Sequence, residues 1–420
     1  MKKIISILKT QTIKDSFVVA LGLGASATIG FVFTILLARS LGPVNFGVYS
    51  ALTALAAIVY SLGDMGISNS LINFLPKKVS ERYQYLSTSF WMEFVIGCFI
   101  LSLFGIFSYF HQIIVPGSLS TDMLLTGVIS FNYLLIIYTQ GIFTAGRKFW
   151  SYSASQILDS GIKIVIVFFI FSMGNLSIGT ALMANIISTL IALLITFGKE
   201  LYSIEFDFFK KPFWDIFHFA KWIAVSRIFT VMISRVDIIL LNLLAGSYAA
   251  GIYSAASRIT ILFAMMAAGL GSVINPRFSS FDSNQKILTY GRKLLLLVTG
   301  VAISMILISF FAAPIITLVY GPKYLESITV FRYLILAMIP FLFTIISNST
   351  LVYAFNQLTF YTKMMAVQTT IIVVVDLLLI PRLGYNAPAI ALFVSNIFVL
   401  FASFLKVRFL VYEKRKVVRR

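Results

Sequence analysis

Five basic side chains, Lys163, Arg227, Arg235, Arg258 and Arg332, and six acidic ones, Asp15, Asp64, Glu93, Asp159, Asp237 and Asp376, fall inside or beside long apolar runs. A charge at the centre of an apolar membrane segment costs about 2.5–3.5 kcal/mol on insertion scales, so each must meet a partner or a wet cavity. Their chemistry differs along the chain. Asp15, Asp64, Glu93 and Asp159 stand against Lys163 in the first half, and Arg227, Arg235, Arg258 and Arg332 against Asp237 and Asp376 in the second. Carboxylates can take up a proton or hold a cation. Arginine presents paired donors to phosphate oxygens, which suits a diphosphate. A cavity between the halves would have one wall for a coupling cation and one for an anionic substrate.

Each residue also has a plainer reading. At about 100° per residue, Arg227, Ser234, Arg235 and Asn242 share one helix face, polar along most of its length. Asp237 points away from Arg235, and Arg258 sits midway along the next apolar run. These arginines either bind an anion or pair with acids to fix packing. Arg332 is close enough to a helix end to snorkel instead. Asp159 and Lys163 are four apart with the acid first, the favourable order for a helical ion pair. Asp64 lies in Gly63-Asp64-Met65-Gly66, where two glycines loosen a helix and make either a gate or an end near the interface. Glu93 changes protonation in a dry site or lies near the interface. Asp64, Glu93, Asp159 and Lys163 are the ion-coupling candidates; Arg227, Arg235, Arg258 and Arg332 are the anion-binding candidates. Cys98 is a lone cysteine, and His111 and His218 are far apart, so no catalytic cluster, metal site or cofactor is expected.

The elements that carry these charges are apolar. Of the 420 residues 59% are hydrophobic and 11% charged, and mean hydropathy is +0.96. A soluble domain has roughly 25% charged residues. Runs of about 18 residues or more predict membrane-spanning helices, placed at 16–38, 47–75, 87–110, 122–146, 150–173, 178–198, 215–244, 248–275, 288–312, 326–354, 359–380 and 387–409. The first is too long for a signal-peptide core. Of the 33 basic residues, 25 fall on one set of helix ends, and only Arg39, Lys323 and Arg382 on the other. That bias places both termini in the cytoplasm and explains the net charge of +18 without nucleic acid. Trp91, Trp150, Trp214 and Trp222 lie near the same ends, where an interfacial belt forms. The expected fold is an all-α integral membrane protein of twelve helices in two six-helix lobes, 1–198 and 215–420, joined by a cytoplasmic linker at 199–214.

Two short stretches mark a duplication. Leu41-Gly42-Pro43-Val44-Asn45-Phe46-Gly47-Val48-Tyr49-Ser50-Ala51 returns as Ala245-Gly246-Ser247-Tyr248-Ala249-Ala250-Gly251-Ile252-Tyr253-Ser254-Ala255. Both are tight, uncharged turns on the outer side. An even number of helices per half makes the repeat parallel.

Arg39-Ser40-Leu41-Gly42-Pro43, Phe46-Gly47-Val48-Tyr49-Ser50 and Gly63-Asp64-Met65-Gly66-Ile67 resemble the start of polysaccharide biosynthesis flippases of the O-antigen (Wzx) type. Ala145-Gly146-Arg147, within the Gly141–Tyr152 region, and Asn356-Gln357 resemble that family's fourth and tenth helix ends. The resemblance covers essentially the whole chain and implies the multidrug/oligosaccharidyl-lipid/polysaccharide exporter superfamily, with two bundles in a V around a cavity. It implies movement of an undecaprenyl-diphosphate-linked oligosaccharide from the cytoplasmic to the periplasmic leaflet of a bacterial inner membrane. The implied partners are that lipid-linked oligosaccharide, membrane lipids and a coupling cation, proton or sodium. Twelve spans, not the fourteen usual in lipid II flippases, set this chain apart from those. The rival readings are a multidrug/cation antiporter of the same superfamily and a membrane polysaccharide polymerase or ligase. An enzyme of that kind wants a large outer loop, and the connections here are short, so a transporter is expected.

Overall fold

Glycine decides where the longest helices of this protein bend. The computed structural model describes residues 11–201, 207–281 and 283–418. Asp15, the terminal basic clusters and residues 199–206 of the 199–214 linker lie outside the described side chains. Helix α1, Gln11–Gly63, is continuous except at Gly42, whose backbone takes φ 70°, ψ 172°. Only glycine adopts that region cheaply. Pro43 follows at the first turn of the resumed helix, where a missing N–H costs nothing. The second copy repeats the device. Helix α8, Lys210–Ser279, bends at Gly246 with φ 85°, ψ 169°, and Asn242 Nδ2 donates to Ser247 Oγ there at 3.0 Å. After each turn the same side chains turn inward: Tyr49, Ser50 and Ala51 are buried, as are Tyr253, Ser254 and Ala255.

The helices between are α2 (Ile67–Phe74), α3 (Arg82–Phe107), α4 (His111–Ile114), α5 (Ser120–Ala145), α6 (Phe149–Ser172) and α7 (Ile178–Leu201). After α8 come α9 (Asn284–Phe310), α10 (Ala312–Tyr320), α11 (Ser327–Ser349), α12 (Leu358–Leu383) and α13 (Ala387–Val418). Every expected apolar span coincides with helix. Two differences stand out. The second expected helix stops at Gly63 and restarts as α2, because Met65 and Gly66 take left-handed backbone, φ 45° and 85°. A short helix, α10, fills most of the outer connection expected at 313–325.

Two compact units result, Met1–Val231 and Met232–Arg420. In the first, α1 packs on α6, α3 on α5, and α7 on both α5 and α6. Its core gathers Ile67, Leu71, Tyr85, Leu86, Tyr138, Ile142, Phe197 and Ile216. In the second, α13 packs on α11 and α12, and α9 on α11. Both units bury polar side chains and expose apolar ones. Ser87, Thr88, Ser89, Thr126, Ser130, Ser188 and Thr189 are fully buried, while Val95, Phe99, Leu194 and Phe404 lie more than half exposed. In water that arrangement would be unstable; in lipid it satisfies the polar groups and leaves apolar surface to the acyl chains. Among the described residues nine helical stretches are long and apolar enough to cross a bilayer. This is a multi-pass membrane protein.

Candidate functional site

The charges singled out in the sequence gather into discrete clusters. The first lies where α1 breaks. Asp64 is fully buried. Its carboxylate accepts from the backbone N–H of Gly66 and of Ser68, each at 3.1 Å, and from the Ser68 hydroxyl. It thereby caps α2, satisfying donors that a helix start leaves open. Gly66 is required here twice over. Its φ is 85°, and an added Cβ would meet the Ile223 side chain at 2.8 Å and the Ala220 carbonyl at 3.2 Å. Ala220, Ile223 and Arg227 form one face of α8, seated against the break. Arg227 closes the cluster: Nη1 pairs with Asp64 Oδ2, and Nη2 donates to Asn69 Oδ1 at 3.0 Å. Its side chain remains 25% exposed. Glu93, on α3, is fully buried beside Asp64 and Arg227.

The second cluster holds Asp159 and Lys163 on α6. They form the i,i+4 ion pair at 3.1 Å. Lys163 Nζ also donates to the Tyr133 hydroxyl at 2.8 Å, which donates in turn to Asp159 Oδ2 at 3.1 Å. Ser188 Oγ donates to Asp159 Oδ1 at 2.8 Å. Three helices, α5, α6 and α7, are tied by this network. Asn132 Nδ2 reaches Thr189 Oγ1 at 3.1 Å beside it.

The second unit brings together Asp237 and Asp376, expected only as counter-charges to the arginines. Asp237 is buried; it accepts from the Tyr253 hydroxyl and from the Ile238 N–H at 2.8 Å. Asp376, on α12, is fully buried within electrostatic range of Asp237, and no N–H or O–H of the described residues donates to either of its oxygens. Arg235 is half-buried and acts on Asp237 through its charge. Arg258 is half-buried and within electrostatic range of the buried hydroxyl of Tyr320. Arg332 is exposed, with Nε 3.4 Å from the Ser309 carbonyl. Outside the spans, Tyr385 faces Glu326; burial raises its hydroxyl above the usual tyrosine range and the Glu326 charge adds to this. No group of three or more His, Cys, Asp or Glu that could hold a metal occurs among the described residues.

Periodicity placed the arginines on faces without showing what those faces meet. Arg227, grouped by sequence with the arginine-rich half, folds with the first unit and pairs with its acid. Tyr133, Ser188 and Asn69 carried no signal, since hydroxyl and amide side chains abound in every helix, and Tyr253 was marked by the repeat alone.

Residues 12–282 match the family described as polysaccharide biosynthesis protein. The chain belongs to this family. A relative from Shigella flexneri, named "Putative O-antigen transporter", is 26% identical over 328 residues, covering 73% of this chain and 78% of its own. The fold is shared with solved structures at low identity. "Lipid II flippase MurJ" in an inward closed conformation superimposes with TM-score 0.79 at 14% identity, covering 93% of this chain and 87% of that one. A multidrug/oligosaccharidyl-lipid/polysaccharide superfamily transporter from Pyrococcus furiosus gives 0.62 at 14% identity, covering 95% of each. A family member with this fold, an all-helical MATE- and MurJ-like architecture, places buried charges in helices whose outer faces suit lipid.

Proposed function

We propose that this protein is a flippase that moves an undecaprenyl-diphosphate-linked oligosaccharide, an O-antigen or similar surface-polysaccharide unit, from the cytoplasmic to the periplasmic leaflet of a bacterial inner membrane by alternating access. The observation that carries the proposal is arginine inside apolar helices: Arg235 and Arg258 stand half-buried in α8, which is long and apolar enough to cross a bilayer. An arginine at that depth persists where it meets an anion or a wet path. The family match and the named Shigella relative support a polysaccharide precursor as that anion. Arg235, Arg258 and Arg332 are the proposed diphosphate-binding residues, with Arg258 the first to test; Arg227, also expected to bind the anion, pairs with Asp64 in the first unit.

Twelve crossings fit this reading. Three of the nine apolar stretches, Val18–Gly63, Lys210–Ser279 and Leu358–Val411, have 46, 70 and 54 residues. A crossing needs about 20 residues, so each can cross twice. Their turning points are Gly42, Gly246 and the non-α segment Gly384–Asn386. Twelve crossings and the basic bias support the reading that both termini are cytoplasmic, with lobes 1–198 and 215–420 joined at 199–214. A coupling cation is carried by the buried acids, Asp64, Glu93 or Asp159 with its partner Lys163, and Asp237 with Asp376 provides a second address.

A cation antiporter of the same superfamily is favoured by one feature, the Asp376 carboxyl without a protein donor. The two readings separate in a strain lacking its own flippase. Expression of this protein should restore surface polysaccharide, and Arg258→Ala at equal protein level should abolish the restoration. Full export by Arg258→Ala would remove the diphosphate role. Resistance to cationic drugs without export would favour the antiporter.

A further inference from the structure

Two buried carboxyl groups and one half-buried guanidinium meet at the break in α1. Asp64 is fully provided with donors: two backbone N–H groups, the Ser68 hydroxyl and Arg227. Glu93 is the opposite. Neither of its oxygens receives an N–H or O–H from the described residues, yet its carboxyl group lies within hydrogen-bonding reach of Asp64 and within electrostatic range of Arg227. A fully buried polar group without a partner demands an explanation. A second carboxylate can supply no donor, and two bare carboxylates in contact repel. One guanidinium balances only one of them.

Among the described residues, the other elements around Glu93 offer no further charge. On α3 and α5 the neighbouring contacts are apolar: Phe131 packs on Gly97, and Leu134, Ile96 and Ile100 pack on Gly63. The charged groups that face Glu93 are Asp64 at the end of α1 and Arg227 on α8.

A proton between the carboxyl groups resolves both problems. Glu93 then donates an O–H to an Asp64 oxygen, and two carboxyl groups, one proton and one guanidinium sum to zero charge. We propose that Asp64, Glu93 and Arg227 form a buried proton-binding site, in which the two carboxyl groups share one proton against the single guanidinium. Withdrawal of Arg227 leaves the pair with a net negative charge in an apolar surround. A second proton restores neutrality, so release of Arg227 and proton uptake are linked. The hinge for such a release is present, since Met65 and Gly66 already hold left-handed backbone under the α8 face that carries Arg227. This deepens the coupling part of the proposed function by naming the cation as a proton. Its test reads protonation and not export, so failure of the flippase reading would leave the test standing.

The test is infrared spectroscopy of the full-length protein in liposomes, in buffer where exposed carboxyl groups are all ionised. The expected result is a protonated-carboxyl C=O band that shifts when glutamate carboxyls are carbon-13 labelled in the unsubstituted protein. Glu93→Gln should remove it. Asp64→Asn should remove it too, because Arg227 would then have the Glu93 carboxylate as its counter-charge. The absence of a glutamate-dependent band overturns the site. A band that survives in Asp64→Asn overturns the sharing, and leaves a lone buried acid. Labelling in the unsubstituted protein decides the first point even where a variant does not fold.

Discussion

Replacing Lys163 with methionine keeps the aliphatic stem and removes the ammonium from a network that ties three helices. In the structure Nζ stands 3.1 Å from Asp159 and 2.8 Å from the Tyr133 hydroxyl. The two side chains are only 10% and 13% exposed. Removing one partner of a buried ion pair costs about 3–5 kcal/mol, because it strands the other charge. Asp159 would keep two donors, Tyr133 and Ser188. Hydrogen bonds to a charged group contribute about 1.5–3 kcal/mol each, which puts the loss at the lower end, about 3 kcal/mol. Asp159→Asn in the same protein removes the stranded charge. The double variant should then lie within about 1 kcal/mol of the original, since a neutral replacement of a buried pair is often tolerated. The assay is reversible unfolding of the lipid- or detergent-bound protein, run as a double-mutant cycle. The expected coupling is about 2 kcal/mol or more, at the upper part of the range for contacting residues. A double variant no more stable than Lys163→Met would refute the reasoning, as would a single variant with unaltered stability.

Other perturbations follow from the same geometry. Gly42→Ala and Gly246→Ala meet no atom within 4 Å, so their cost is backbone strain alone, about 1–3 kcal/mol in thermal unfolding. Gly24→Ala, helical and also open, should be neutral or slightly stabilising in that measurement. Gly66→Ala adds a collision with Ile223 to the strain at φ 85° and should cost more than either. Arg332→Ala, on an exposed position, should reduce export less than Arg258→Ala when surface polysaccharide is measured at equal protein level. Asp376→Asn removes a buried carboxyl without a donor, so it should raise the unfolding temperature while lowering ion-driven export.

The parts of this architecture that depend on local pattern were open to reading. Apolar runs gave the helices because the bilayer sets their length. The turn at Gly42 and its copy at Gly246 were visible because one backbone conformation, disfavoured for other residues, selects glycine twice. Asp159 and Lys163 were visible as a pair because a helix brings positions four apart together. Arg227 and Asp64, 163 positions apart, were not, because helical phase gives a direction and only packing supplies the neighbour. The same holds for Asp237 with Tyr253. Asp64 was read as a charge in a loosened turn; that it caps a new helix depends on the left-handed backbone of Met65, which its side-chain type does not signal.

The most direct measurement is translocation itself. The purified protein, reconstituted in proteoliposomes with a lipid-diphosphate-linked oligosaccharide, should bring that lipid to the opposite leaflet, as read by the accessibility of its sugar to an impermeant enzyme. Arg258→Ala in the same vesicles should slow it to the rate of empty liposomes. Equal rates with and without the unaltered protein, across oligosaccharide lipids and under an imposed proton or sodium gradient, would contradict the account.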